Sequence, residues 1–210
     1  EVFLNGKPVR QADVEKIGYL PEERGLYPKM YVGEHLVYLA RLKGLSRKVA
    51  YDSVQSWLRE FDILSWWWSK VEELSKGMAQ KLQFIATVVH QPYFVILDEP
   101  FSGFDPINAE LVKQKILDLK AGGTTIMLST HRMENVEALC EHVAMINKSR
   151  KVLDGPIERI KAQYRNQTYE IALKGETTEA MLPLDHGMQL HSTTYQPAHN
   201  QTLVRLAVQD

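Results

Sequence analysis

The sequence predicts an α/β fold with a mostly parallel sheet, and three observations carry this prediction. Residues 94–97, Phe-Val-Ile-Leu, form a continuous apolar run of the kind found in strands buried on both faces of a parallel sheet. Residues 124–130 form a second run of this kind. Apolar residues at helical spacing lie before, between and after these runs, and strands that alternate with helices are typical of parallel βαβ units.

Length and composition restrict the function classes. A chain of 210 residues accommodates one large domain, or one domain with a small appendage. The formal net charge of −1 gives no bulk electrostatic attraction for nucleic acid, so we expect no nucleic-acid partner. Cys140 is the only cysteine, which excludes an internal disulfide and is typical of a reducing compartment. No run of about 18 apolar residues is present to span a membrane.

The first 70 residues combine short strands with a helical segment. Residues 1–20 read as strands with a turn at Asn5-Gly6, and the missing initial methionine suggests a piece whose beginning lies upstream. Residues 21–25 form a polar loop. Helices are predicted at residues 31–42 and, after a break at Gly44 and Ser46, over a segment with apolar residues from Val49 to Phe61. Residues 66–68 are three consecutive tryptophans, which either form an exposed interaction surface or fill a loop between helices.

Polar residues follow or precede several of the predicted elements. Ser75 is a good N-cap for a helix that continues to about His90, and a helix start can bind an anion, although a plain cap is the alternative. Asp98 and Glu99 end the strand that begins at Phe94. Because neighbouring residues on a strand point to opposite sides, we expect one carboxylate to reach a metal ion and the other to face water; a solvated acidic turn is the alternative.

The remaining chain continues the alternation and then changes character. Asp105-Pro106 predicts a helix start, and the strand predicted at residues 124–130 is followed directly by His131. A further helix and two strands come next, and a last helix is predicted from Pro156 to about residue 164. The tail is strand-rich, with strands predicted at residues 168–173 and 202–208. Its three histidines, which lack the spacing of a metal site, are interpreted as surface residues: His186, His191 and His199.

Over about residues 1–163, these motifs in this order resemble the ATP-binding cassette (ABC) ATPases, specifically bacterial transporter subunits. Residues 74–78, Leu-Ser-Lys-Gly-Met, are similar to the LSGGQ signature of that family, with Lys76 replacing a glycine and Met78 a glutamine, a form similar to that of one transporter subgroup. The resemblance implies a P-loop NTPase-like fold with an inserted helical subdomain at about residues 31–90. Residues 164–210 would be a small C-terminal extension.

The resemblance also implies roles for individual residues. In the family, the signature serine and glycine, here Ser75 and Gly77, hold the γ-phosphate of an ATP bound to the opposite subunit, and Lys76 and Met78 complete that motif. Asp105 lies in the loop that couples the two sites across the dimer.

The acid pair and the histidine match the hydrolytic motifs of the family. Asp98 would hold Mg²⁺ through water, Glu99 would be the general base for the attacking water, and His131 would sense the γ-phosphate. Phosphoryl transfer relies mainly on positioning and charge stabilisation, which these residue types supply.

Two departures from the family pattern shape the expectations. Glu22 replaces a glutamine that senses the γ-phosphate, and we predict that Glu22 contacts both the metal and the nucleotide region. In addition, no G-x-x-x-x-G-K-[ST] sequence occurs in these 210 residues. We therefore expect these residues alone to bind ATP weakly and to be inactive.

The resemblance implies a cytoplasmic subunit that is peripheral on the inner face of the cell membrane. Its partners would be a transmembrane permease and a second cassette, identical or different, and export is the favoured direction. Two alternatives stay open: a soluble ABC ATPase without a membrane partner, and a catalytically silent partner cassette.

Overall fold

The computed structural model describes residues 3–4, 6–23, 25–164, 168–184 and 187–208. The chain divides into two compact units, Glu1–Cys140 and Glu141–Asp210. Asn5 of the predicted turn and His186 lie outside the described residues. The boundary expected near residue 163 from the resemblance stays a prediction.

The first unit alternates strands and helices, as the sequence predicts. Its strands among the described residues are β1 (Phe3–Leu4), β2 (Lys7–Pro8), β3 (Ile17–Leu20), β4 (Phe94–Asp98) and β5 (Thr125–Ser129). Its α-helices are α1 (Val32–Leu42), α2 (Arg47–Glu60), α3 (Lys76–Val88), α4 (Pro106–Ala121) and α5 (Met133–Leu139). Short 3₁₀ helices lie at Gln11–Lys16, Leu64–Trp68 and Val71–Glu73.

The central sheet is parallel and has the order β3-β4-β5. Strand β4 lies in the middle, and its alternate residues Val95 and Leu97 are fully buried. They belong to the same hydrophobic cluster as Ile85 of α3 and Ile116 of α4. A parallel sheet with helices packed on it confirms the predicted α/β class.

The other face of this sheet is open within the described residues. Tyr19, Ile96 and Met127 lie in register across the three strands. Ile96 is half-buried, and Tyr19 and Met127 are each 57% exposed. The prediction that β4 is buried on both faces is therefore wrong for the described part of the chain, because helices cover only the face that carries Val95 and Leu97.

Helices α1, α2 and α3 form a segment with its own core. Ser46 and Ser75 cap α2 and α3, since each side chain accepts a hydrogen bond from the backbone amide three residues later. Phe61 and Phe84 pack with ring centroids 5.8 Å apart, and Leu58 is fully buried beside them. Among the described residues, no helix combines the length and the apolar content that a membrane crossing requires.

Two histidines are buried in the first unit. His35 of α1 is fully buried and His90, just after α3, is 7% exposed. The two ring nitrogens of His35 have no hydrogen-bond partner within the described residues. Burial disfavours the charged imidazolium and lowers the pKa of each histidine to about 4, and at His90 the charge of Lys43 lowers the pKa further.

The second unit is mostly antiparallel. It contains β6 (His142–Asn147), β7 (Arg150–Pro156), α6 (Ile157–Tyr164), β8 (Thr168–Lys174), β9 (Met188–Gln196) and β10 (Gln201–Val208). β6 pairs with β7, and β8, β10 and β9 form a sheet in that order. Pro156 ends β7 instead of starting α6, and β9 was not predicted. His191 and His199 are exposed, as the sequence indicates.

Candidate functional site

The candidate site lies where the three parallel strands end. Leu20, Leu97 and Leu128 lie side by side in register. Because parallel strands end at one edge of the sheet, the residues that follow them, including Asp98 and His131, leave the sheet at that same edge. Ligands of open α/β sheets bind at the carboxyl ends of strands, so this edge is the expected position for a site.

Glu99 is held by three contacts from the segment after β5. Its Oε1 accepts a hydrogen bond from the His131 backbone amide at 2.9 Å and lies 2.7 Å from His131 Nδ1, and its Oε2 accepts from Thr130 Oγ1 at 3.3 Å. The Glu99 side chain is 18% exposed, whereas the His131 side chain is 79% exposed. The carboxylate is therefore fixed, and the far side of the imidazole ring is open to a ligand.

The backbone of Glu99 departs from the sequence prediction. β4 ends at Asp98, and Glu99 has φ 45°, in the left-handed region. This conformation costs a non-glycine residue about 1–2 kcal/mol. The Glu99 amide donates to Ser129 O at 3.0 Å, which holds the turn in place. The two carboxylates are thus separated by a turn of the backbone, and the expectation of alternating side chains on one strand is wrong at Glu99.

The contact between Glu99 and His131 defines a tautomer. An ionised carboxylate only accepts hydrogen bonds, so Nδ1 of His131 must carry a proton when it bonds Oε1 of Glu99. In the neutral ring, Nε2 then has a free lone pair. The pair consequently presents a fixed carboxylate next to a nitrogen that can accept, or after protonation donate, a hydrogen bond.

Asp98 is one residue of this edge that could hold a metal ion. Its Oδ1 accepts a hydrogen bond from Ser129 Oγ at 2.5 Å, and the residue is half-buried. Carboxylate oxygen is a preferred ligand of Mg²⁺, which usually combines one or two protein carboxylates with phosphate and water oxygens. Within the described ranges, no cluster of three or more His, Cys, Asp or Glu side chains could hold a metal ion.

The predicted signature lies at the first turn of α3. Ser75 is the N-cap and its Oγ accepts from the Met78 amide at 3.3 Å, which confirms the predicted cap. Lys76 and Gly77 are the first two helical residues, whose amides lie before the first hydrogen bond of the helix. A Cβ on Gly77 would lie 3.7 Å from Gly103 O, so this turn lies next to the loop after β4.

Asp105 lies in that same loop and caps α4. Its Oδ1 accepts from the amides of Ile107 and Asn108 at 3.0 Å each. These hydrogen bonds, led by the one from the Asn108 amide, lower the pKa of the Asp105 carboxyl below its usual value. The Asp105 side chain is therefore engaged in its own helix, although its loop borders the signature turn.

Glu22 follows β3 at the same sheet edge, but its side chain is exposed and makes no hydrogen bond or ion pair within the described part of the chain. Its backbone neighbours are held instead. Gln83 Nε2 of α3 donates to Pro21 O at 3.0 Å and to Glu23 O at 3.2 Å. Sequence reasoning missed Gln83; the available signal was a polar residue within the apolar sequence of α3.

The three tryptophans have different environments. Trp67 is buried beside Tyr51, with ring centroids 4.9 Å apart, and lies so close to Gly33 that a Cβ there would meet its ring at 2.2 Å. Trp66 packs partly buried against the hydrophobic core, and Trp68 is 71% exposed. Trp67 therefore fills space between helices, as one interpretation expects, and Trp68 is exposed, while an interaction surface stays a prediction. Trp67 and Trp68 line a cleft of about 550 Å³ with residues of α1 and α2.

Comparison with known proteins gives consistent matches. A family model described as ABC transporter matches residues 1–102. The uncharacterized ABC transporter ATP-binding protein YhaQ of Bacillus subtilis is 50% identical over 170 residues, which cover 81% of this chain and 57% of YhaQ. The Nod factor export ATP-binding protein I of Burkholderia lata is 34% identical over 158 residues, 73% of this chain and 52% of that protein.

A solved structure of an ATP binding subunit of an ABC transporter also matches, with a TM-score of 0.68 and 29% identity, over 74% of this chain and 65% of that chain. The chain spans 55–65% of the length of three of the curated relatives that it matches. The parallel sheet, the motif order and these matches agree with one another. The chain therefore belongs to the ATP-binding proteins of ABC transporters.

Proposed function

We propose that these residues supply the hydrolytic edge and the signature turn of an ATP-hydrolysing transporter subunit. The observation that carries the proposal is the Glu99 carboxylate, which His131 and Thr130 hold in place beside Asp98. Such an arrangement is suited to orienting a water molecule for attack on a phosphate. ATP hydrolysis by two paired cassettes would then drive transport by a separate membrane component.

Glu99 is the general base in this proposal. A carboxylate fixed by three contacts accepts a proton from water without first having to reorganise, which is how preorganised groups accelerate a reaction. His131 orients Glu99 through Nδ1 and contacts the γ-phosphate with Nε2. Asp98 holds Mg²⁺, which when bound neutralises phosphate charge.

The signature turn is proposed to act on a nucleotide of the opposite subunit. Ser75, Lys76, Gly77 and Met78 surround the start of α3, where backbone amides and the helix dipole favour a phosphate. The closeness of Gly77 to the Asp105 loop supports a role for that loop at the same dimer contact. A second cassette, identical or different, is therefore part of the proposed working unit.

Glu22 is proposed to contact the metal. Its carboxylate is exposed and uncommitted within the described residues, and it follows β3 at the edge that carries Asp98. A carboxylate close to Mg²⁺ adds a ligand of the type that this ion prefers. The proposal assigns Glu22 a role in the dependence of hydrolysis on Mg²⁺.

The aromatic cleft is proposed to receive the transmembrane permease subunit, which would hold this chain peripherally on the inner face of the cell membrane. Exposed Trp68, with Tyr51 and Trp67, offers large aromatic surface of the type enriched in interfaces. The 34% identity to a protein named for Nod factor export supports export as the direction of transport.

The test is ATP hydrolysis by the full-length protein, alone and with its membrane partner, beside a Glu99→Gln variant. We expect the variant to lose about 10²–10⁴-fold in kcat, because the amide cannot accept the proton. Glu158→Gln, in exposed α6, is the matched control and should behave as wild type. The alternative of a soluble ABC ATPase would be favoured if hydrolysis needed no membrane partner and the protein co-purified with ribosomes. An inactive wild type in the complete complex would establish a silent cassette.

A further inference from the structure

Gln83 makes a bridge between α3 and the loop that carries Glu22. The residue is 4% exposed. Its Nε2 donates to Pro21 O at 3.0 Å and to Glu23 O at 3.2 Å, the carbonyls on either side of Glu22. A side-chain amide nitrogen has two hydrogens, so both of its donors are used on this loop. The loop is therefore fixed at two points, one before and one after Glu22.

This bridge is an unusual use of a buried position. Leu82, Phe84 and Ile85 beside Gln83 are fully or almost fully buried apolar residues. Burying an amide among them costs free energy unless its polar atoms are paired. The nitrogen is paired with the loop, while the Oε1 atom is buried without a partner in the described part of the chain. An apolar residue would fill this position without that cost, so the contact with the loop is the feature that Gln83 adds.

The bridge also connects two parts of the proposed site. Gln83 lies seven residues after Lys76, two turns along the same helix face, so a continuous helix joins the signature turn to the Glu22 loop. One turn further, Thr87 Oγ1 donates to Gln83 O at 2.9 Å and lies 3.4 Å from Tyr19 O of β3. That second contact reaches the strand but does not flank Glu22.

We propose that Gln83 is a positioning residue that sets the place of the Glu22 loop relative to the signature helix α3. The bridge fixes the backbone on both sides of Glu22 and leaves its carboxylate free to reach a cation. A movement of α3 would consequently carry the Glu22 loop with it. The part of this inference that concerns the cation rests on the proposed function of Glu22, whereas the part that concerns the loop does not.

The first measurement is amide hydrogen exchange of peptides covering residues 21–26 in the full-length protein without nucleotide. Gln83→Met keeps the length and removes both donors, and we expect exchange in this loop to become roughly fivefold faster. Thr87→Val is the matched control, because it removes a buried polar contact of α3 that does not flank Glu22, and it should leave the loop unchanged. Gln83→Asn, which keeps the amide but is too short to bridge, should reproduce the effect of Gln83→Met if that variant folds poorly.

The second measurement is the Mg²⁺ concentration that half-activates ATP hydrolysis, in a double-mutant cycle of Gln83→Met and Glu22→Ala. We expect Gln83→Met to raise this concentration about threefold and to have no further effect once Glu22 is absent. Additive effects, unchanged exchange in Gln83→Met, or equal acceleration by Thr87→Val would overturn the proposal. If Glu22→Ala alone leaves the Mg²⁺ dependence unchanged while Gln83→Met loosens the loop, the metal role of Glu22 fails and the positioning role stands.

Discussion

Two glutamates at the same sheet edge are held in opposite ways. Glu99 has its carboxylate fixed by three contacts and its side chain 18% exposed. Glu22 is exposed, and only the backbone on either side of it is held, by Gln83. The difference fits the two proposed roles, Glu99 as the general base and Glu22 as a contact of the metal. A base must be oriented before its water arrives, whereas a side chain that meets a ligand brought in with the nucleotide needs only a fixed starting place.

The strongest test of that contrast shortens each side chain. Glu99→Asp keeps the charge but withdraws the carboxylate by about 1.5 Å, and we expect a loss of about 10²-fold in kcat because such a displacement disrupts positioning. Glu22→Asp should stay within about twofold of wild type, since an exposed side chain can re-orient. Steady-state hydrolysis at saturating Mg²⁺ and ATP measures both. Equal losses in the two variants would contradict the contrast.

The geometry of Glu99 also marks the limit of sequence reasoning at this site. The strand that begins at Phe94 and the caps at Ser75 and Asp105 follow from strong local patterns, and the structure confirms those elements. The turn at Glu99 does not follow from a local pattern. Pro100 disfavours the right-handed helical region for the preceding residue and so favours continuation of the strand. Two hydrogen bonds to residues remote in sequence override this local preference: the Glu99 amide donates to Ser129 O, and the His131 amide donates to the Glu99 carboxylate.

The second unit and Gln83 also show features that local sequence patterns do not predict. Strand β9 is rich in serine, threonine and glutamine, so its apolar alternation is weak, and its position follows instead from backbone pairing with β10. Gln83 has a helical position that the sequence predicts, but its bonds to residues about 60 positions earlier have no local signature. Long-range hydrogen bonds are therefore what the patterns could not supply.

The next effect concerns His131, which holds Glu99 from one side. His131→Ala removes the Nδ1 contact but keeps the backbone amide that donates at 2.9 Å, so Glu99 retains part of its support. We expect a loss of about 10–10²-fold in kcat, smaller than that of Glu99→Gln. Single-turnover hydrolysis separates this chemical step from nucleotide binding. His191→Ala, at an exposed position of β9, is the control, and a loss as large as that of Glu99→Gln would contradict a supporting role for His131.

A smaller effect is expected from removing the exposed carboxylate of Glu22. Glu22→Ala should raise the Mg²⁺ concentration required for half-maximal hydrolysis about threefold to tenfold, because one carboxylate ligand is lost, while kcat at saturating Mg²⁺ changes little. Titration of Mg²⁺ at fixed ATP measures the change, with the neighbouring Glu23→Ala as control. An unchanged Mg²⁺ requirement would remove Glu22 from the metal site.

The last contrast is between two histidines, and it concerns a loss of folding stability that appears only below neutral pH. His131 is exposed and paired, whereas His35 is fully buried without a hydrogen-bond partner among the described residues, and burial lowers its pKa to about 4. An unfolded chain binds a proton at this histidine near pH 6.5, so between pH 6.5 and pH 4 the unfolded state binds more protons than the folded state. The stability that the neutral ring allows is therefore complete above pH 6.5 and is lost as the pH falls towards 4.

Integrating that difference gives a loss of about 2 kcal/mol in the free energy of unfolding between pH 7 and pH 5 from His35 alone. Denaturant unfolding of the full-length protein at a series of pH values measures this loss. His35→Leu fills the same buried space without a titrating group, so its stability should fall less steeply over that range, whereas exposed His199→Leu should follow wild type. Parallel curves for wild type and His35→Leu would mean that the imidazole reaches water or a partner when it becomes protonated, and is therefore not held as a neutral ring in the core.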